Sequence, residues 1–131
     1  MILVDTSIWI ELLNDRRRIS EAQDRVEDFV TCSPVVQEVL QGFADRPSFR
    51  HFRETLLTFP RLSDPLPIER FLEAAFIYRE GRSKGYTIRS AADCLIAAIA
   101  IENNVPVWHR DRDFTTIARY TPLKVISRRL T

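Results

Sequence analysis

Ile2-Leu3-Val4-Asp5-Thr6-Ser7-Ile8-Trp9 decides the fold. Three consecutive β-favouring apolar residues read as a strand buried on both faces, because a strand with one wet face would alternate polar and apolar. Asp5 ends the run. Thr6 and Ser7 then offer side-chain oxygens to the unpaired N–H groups of a helix start. Ile8, Trp9, Leu12 and Leu13 recur at helical spacing, so a helix follows.

The alternation continues outward. Ser20 to Phe29 reads as a polar helix and Val30-Thr31-Cys32 as a short extended segment. Ser33-Pro34 opens a helix, with Pro in the first turn where its missing donor costs nothing. Val36, Val39, Leu40 and Phe43 form its expected apolar stripe, and Gly42 lies near its end. Ser48 to Leu57 is a further helix, and Phe59 to Leu62 a candidate strand broken by Pro60. Pro67 to Arg82 reads as helical, with Phe71, Leu72, Ala75, Phe76 and Tyr78 expected to supply apolar contacts, and Gly81 to Gly85 as a loop. Ser90 to Glu102 is apolar nearly all round, which predicts a buried helix ended by Asn103-Asn104. Val105 to Trp108 is a strand, Asp111 to Arg119 a helix and Leu123 to Ile126 a last strand. Short apolar strands between helices predict an α/β fold, a parallel sheet covered on both faces. No repeat or linker interrupts the chain, so residues 1–131 are expected to form one domain.

Composition narrows the function classes. A chain of 131 residues, 45% hydrophobic and 28% charged, is large enough to bury a core and too apolar to be disordered. Three Gly argue against a Gly-rich phosphate loop, and seven Pro exclude a Pro-rich linker. A net charge of +1 excludes a strongly basic nucleic-acid coat but leaves a local basic patch open. Only Lys84 and Lys124 are lysine, so 17 of the 19 basic side chains are Arg. That bias suits phosphate or carboxylate partners, and genomic base composition explains it equally well. Cys32 and Cys94 lack metal-ligand spacing and are expected to be reduced, buried thiols. Asp5 ends the first apolar run too early for a signal peptide, and Asp93 interrupts the longest one, Ala91 to Ile101. A soluble, cytoplasmic protein with no membrane association is expected.

In an open parallel sheet, ligands bind outside the carboxyl ends of the strands. Asp5, Glu38, Asp93 and Asp111 all map to that edge, with Asp113 beside them. Each also has a local reading. Asp5 and Asp111 are good helix caps, Ser90-x-x-Asp93 fits a capping box, and Glu38 lies opposite the stripe of its helix. Together they are less comfortable, because converging carboxylates repel and some must take up protons unless a cation is present. Oxygen-only ligands suit Mg²⁺ or Mn²⁺.

These residues carry a resemblance. Val4-Asp5-Thr6-Ser7-Ile8-Trp9 resembles the opening of PIN-domain proteins, and of the VapC toxins of type II toxin–antitoxin modules in particular. Ser33-Pro34-Val35-Val36-Gln37-Glu38-Val39 is similar to the family's second acidic motif, Ala92-Asp93-Cys94-Leu95-Ile96-Ala97-Ala98 to its third and Arg110-Asp111-Arg112-Asp113-Phe114 to its fourth. The resemblance spans the chain and implies a PIN-like three-layer α/β/α sandwich with a short central parallel sheet. It implies that Asp5, Glu38, Asp93 and Asp111 are catalytic acids binding one or two Mg²⁺ or Mn²⁺ ions, with Asp113 an accessory acid. Thr6 or Ser7 matches a hydroxyl that helps position the site. His109 stands where the family commonly has Thr or Ser, which makes it a residue behind the ligands or an RNA contact.

The implied activity is metal-dependent endoribonuclease cleavage of structured RNA, tRNA or ribosomal RNA, which inhibits translation. The ions would activate the attacking water and stabilise the leaving 3′-oxygen. The implied partners are a VapB-type antitoxin and a second copy of the chain. Arg89, Arg110 and Arg112, beside the acids, and the Arg16-Arg17-Arg18 run are the candidate RNA contacts, although the run also reads as a solvated turn. The competing class is a non-catalytic PIN-like module for RNA or protein binding, which would be expected to have lost one of the acids.

Overall fold

The computed structural model describes residues 1–14 and 23–127, so Arg16, Arg17, Arg18 and the start of the expected Ser20–Phe29 helix lie outside the described residues. Strand β1 (Ile2–Val4) leads directly into helix α1 (Thr6–Asn14). A 3₁₀ helix (Gln23–Asp28) precedes β2 (Phe29–Val30), followed by α2 (Ser33–Gln41), α3 (Arg46–Leu56), α4 (Ile68–Ser83) and α5 (Ala91–Asn103). Then come β3 (Val107–Trp108), α6 (Arg112–Ala118) and β4 (Val125–Ile126). The four strands are all parallel, in the order β2-β1-β3-β4. β1 lies inside the sheet and loses water from both faces, which is why Leu3 and Val4 have no exposed surface.

The core reads largely as the spacing predicts. Ile8, Trp9, Leu12 and Leu13 are the buried face of α1. Trp9 meets Phe29 edge-on at 6.0 Å, and Phe29 meets Trp108 at 5.6 Å, so rings from α1, β2 and β3 interlock. That packing draws Phe29 into the sheet and ends the expected polar helix one residue earlier, with its described part wound as 3₁₀. In α2 the inward residues are Val35, Val39 and Leu40; Val36 is half-buried and Phe43 stacks on Phe52. Cys32 and Cys94 are buried free thiols, and burial pushes their pKa values to about 12 and about 11.

The candidate Phe59–Leu62 strand reduces to one bridge. The Thr31 N–H donates to the Pro60 carbonyl and the Leu62 N–H to the Thr31 carbonyl, both at 2.8 Å. Pro60 has no N–H with which to extend the ladder.

α4 corrects the sequence reading. Its buried residues are Arg70, Ala74, Ile77 and Gly81, whereas Phe71, Leu72 and Phe76 are among the most exposed apolar side chains of the described chain. Ala75 is also exposed and Tyr78 half-buried. At Gly81 the inward face has no room for a side chain, because the turn after α6 lies against it. A Cβ on Gly81 would stand 2.5 Å from the Tyr120 hydroxyl, which donates to the Ile77 carbonyl at 2.9 Å. Arg70 enters this interface already paired, to Glu73 at 2.9 Å and to Glu102 of α5 at 3.0 Å. No helix among the described residues is long and apolar enough to cross a membrane.

α5 is the centre of this packing, with Ile96, Ala97, Ile99 and Ala100 fully buried. Ile99→Ala should cost about 2–5 kcal/mol in urea unfolding; a loss below about 1 kcal/mol would mean that α5 is not packed as described.

Candidate metal centre

Asp5 is fixed by the main chain on both sides. Its N–H donates to the Trp108 carbonyl at 2.9 Å, continuing the β1–β3 ladder, and its own carbonyl accepts from Ile8 and Trp9 to open α1. The residue is 5% exposed. The Ser7 hydroxyl donates to Asp5 Oδ2 at 3.1 Å, so Ser7 orients the carboxylate rather than capping the helix. Burial raises the Asp5 pKa; the Thr6 and Ser7 donors oppose the rise and the nearby Asp111 charge adds to it.

Glu38 arrives from α2 and is half-buried. The Thr6 hydroxyl reaches Glu38 Oε1 at 3.5 Å. Burial, then the charges of Asp5 and Asp111, raise the Glu38 pKa, which replaces the solvated reading of this residue.

Asp93 sits in the first turn of α5 at 4% exposure. The capping-box reading fails, because Ser90 makes no side-chain capping bond and only its carbonyl accepts from the Asp93 N–H. Asp93 Oδ2 is buried without any hydrogen-bond partner. Burial, followed by the Asp111 charge and side chain and then the charges of Asp5 and Asp113, pushes the Asp93 pKa up to about 9.

Asp111 does cap its helix: Oδ1 accepts from the Asp113 N–H at 2.9 Å. Asp113, 4% exposed, accepts from the Arg89 N–H at 3.1 Å through Oδ2. Carboxylate oxygens of Asp93, Asp111 and Asp113 lie within 4.8 Å of one another.

One open cleft of about 660 Å³ collects Asp5, Thr6, Ser7, Glu38, Asp93 and Asp111 with Arg89, Arg110 and Arg112. Asp113 is not among the lining residues. His109 is not in the lining. It is 2% exposed, packed 5.3 Å from the Phe114 ring, and neither ring nitrogen has a hydrogen-bond partner. Burial lowers its pKa, against a smaller upward pull from Asp111; of the two expected places for His109, behind the ligands or against RNA, its burial excludes direct RNA contact. The sequence reading missed Ile10, which lines the cleft, and Glu11, which pairs with Arg110. Glu11 stands four residues beyond Ser7, on the same face of α1, and that spacing is the signal available for it.

The donor set fits a hard divalent cation: it is all oxygen, the charges of Asp111, Asp5 and Asp113 add to the rise of the Asp93 pKa, and Asp93 Oδ2 is buried with no hydrogen-bond partner. Without a cation, the raised Asp93 pKa has a definite sign. Its contribution to stability is complete below its ordinary value of 3.8 and is lost as pH rises to about 9. In EDTA, the Tm of the wild type should therefore fall between pH 5 and pH 8.5, roughly, and Asp93→Asn should fall less steeply. Parallel profiles would refute the buried, protonated Asp93.

A PIN-domain family model matches residues 2–120. The chain is 38% identical over 136 residues to VapC ribonuclease Mb1587 of Mycobacterium bovis and, at the same identity, to ribonuclease VapC11 of Mycobacterium tuberculosis strain H37Rv; 97% of this chain and 98% of each relative are covered. Among solved structures, VapBC-1 from nontypeable Haemophilus influenzae superposes with a TM-score of 0.73 at 21% identity, covering 96% of this chain and 97% of that one. At that identity the likeness is one of fold.

Proposed function

The chain belongs to the PIN-domain family, in its VapC branch, and on that premise we propose that it is the toxin of a type II toxin–antitoxin module, a Mg²⁺- or Mn²⁺-dependent endoribonuclease. The observation that carries the reading is the partnerless, buried Asp93 Oδ2 in a cleft lined also by Asp5, Glu38 and Asp111. The names of the relatives support the ribonuclease activity, and the toxin role is what the likeness of the chain's motifs to VapC toxins implies.

In this reading Asp5, Glu38, Asp93 and Asp111 hold one or two ions, which when bound supply an activated water and offset charge on the leaving 3′-oxygen. Ser7 and Thr6 keep the Asp5 and Glu38 carboxylates turned into the cleft. Asp93 or Asp111 orients the attacking water. Asp113 ties the start of α6 to the residue before Ser90, which fixes Asp93 and Asp111 relative to one another. Arg89, Arg110 and Arg112 hold the phosphate backbone. Products carry a 5′-phosphate and a 3′-hydroxyl, and the ribose 2′-hydroxyl is not needed. Structured RNA, tRNA or ribosomal RNA, is the substrate class, and its cleavage inhibits translation.

A VapB-type antitoxin and a second copy of the chain are the proposed protein partners of a single-domain, cytoplasmic toxin. The outward stripe of α4, Ile68, Phe71, Leu72 and Phe76, supports a protein-binding role for that face.

Purified protein should cut total cellular RNA into discrete fragments with Mg²⁺ or Mn²⁺ and stop in EDTA. Asp93→Asn should lower cleavage at least about 100-fold, since even groups that only support metal ligands cost 10–100-fold. Cleavage by Asp93→Asn at the wild-type rate, or undiminished cleavage in EDTA, would contradict the assignment.

A further inference from the structure

We infer that Arg89 is an exchangeable counter-ion of the acid cluster: it covers Asp111 and Asp113 when no divalent ion is bound and yields that place when one binds. The inference rests on the metal-centre reading above and adds a role to Arg89 that phosphate binding alone does not give it.

Three observations carry it. Arg89 is pinned at its base, because its backbone N–H donates to Asp113 Oδ2 at 3.1 Å. Any side chain other than Pro keeps that bond, so the position of the backbone and the charge of the guanidinium are separable. The guanidinium itself is held loosely. Its Nη2 lies 4.0 Å from Asp111 Oδ1 and its Nε 3.8 Å from Asp113 Oδ1, and the side chain is 59% exposed. Contacts of that length are charge attractions without a hydrogen bond, and they are readily exchanged.

Finally, among the described residues Arg89 is the one cation within 4.0 Å of any of the five acids. Arg110 lines the same cleft but is paired with Glu11 of α1. Arg112 also lines the cleft, but among the described residues no cation other than Arg89 stands within ion-pair distance of these acids. A divalent ion on Asp93 and Asp111 competes with the Arg89 charge for Asp111 and repels it at short range. The side chain then leaves the carboxylates, while its pinned backbone keeps it at the cleft's edge, where its planar fork suits a phosphate.

The test is a calorimetric Mn²⁺ titration of the full chain at neutral pH and low salt, in wild type, Arg89→Gln and Arg89→Lys. Gln keeps the backbone bond and much of the shape but removes the charge; Lys keeps the charge. Arg89→Gln should bind Mn²⁺ about two- to fivefold more tightly than wild type, the scale of an exposed ion pair. Arg89→Lys should remain near wild type. Unchanged or weaker Mn²⁺ binding by Arg89→Gln would overturn the counter-ion role and leave the metal centre standing. No Mn²⁺ binding by any of the three would overturn the metal centre itself, and the counter-ion role with it.

Discussion

Mutual repulsion among desolvated carboxylates is the constraint around which this molecule is arranged. Asp5, Asp93 and Asp113 are each no more than 5% exposed, and Asp111 lies close enough to raise the pKa values of Asp5, Glu38 and Asp93. A chain selected for stability alone would separate these groups or pair them. Here the topology forces them together. β1 lies between β2 and β3 in a parallel sheet, so the segments leaving all three strands emerge on one edge. Asp5 is still part of the β1–β3 ladder when its carboxylate reaches that edge. The fold thus stores an electrostatic cost, which in the proposed function a divalent ion relieves.

The rest of the structure resists that cost. α5 carries Asp93 at its first turn and is otherwise a nearly solid apolar rod, fixed by Ile96, Ala97, Ile99 and Ala100 in the core. The helix cannot swing Asp93 outward without exposing those side chains. Arg70 ties α5 to α4 through Glu102, and Tyr120 seats against Gly81 and Ile77 from the turn after α6. The local hydroxyls act on a finer scale, with Ser7 and Thr6 each assigned to one acid. Rigid apolar packing below and weak, exchangeable polar contacts above are the division a metal-dependent site needs.

Much of this was legible in the sequence because it follows from chain direction and periodicity. Ile2-Leu3-Val4 followed by Asp5 reads as a strand with an acid at its carboxyl end, and the positions of Asp93 and Asp111 at helix starts follow from the apolar runs beside them. What stayed hidden depends on how elements lean on one another. The spacing of Phe71, Leu72 and Phe76 is that of a core stripe, yet α4 turns Arg70, Ala74, Ile77 and Gly81 inward, with Gly81 leaving room for Tyr120. A buried Arg70 is unreadable without Glu102, which lies a helix away. Ser90-x-x-Asp93 satisfies the capping-box pattern, but the Asp93 carboxylate is committed to the cleft instead. His109 read either as a residue behind the ligands or as an RNA contact, and only its burial against Phe114 in the turn after β3 excludes the second.

The central claim is that the acid cluster is held together, partly protonated, in readiness for a divalent ion. Its most direct test is proton release on metal binding, measured by titrating Mn²⁺ near pH 7 in buffers of different ionisation enthalpy. Burial and the neighbouring acids push the Asp93 pKa up, so an ion bound there is expected to displace a proton. The expected result is an apparent binding enthalpy that varies with the buffer and corresponds to net release of protons. Mn²⁺ binding with no net proton release would contradict it.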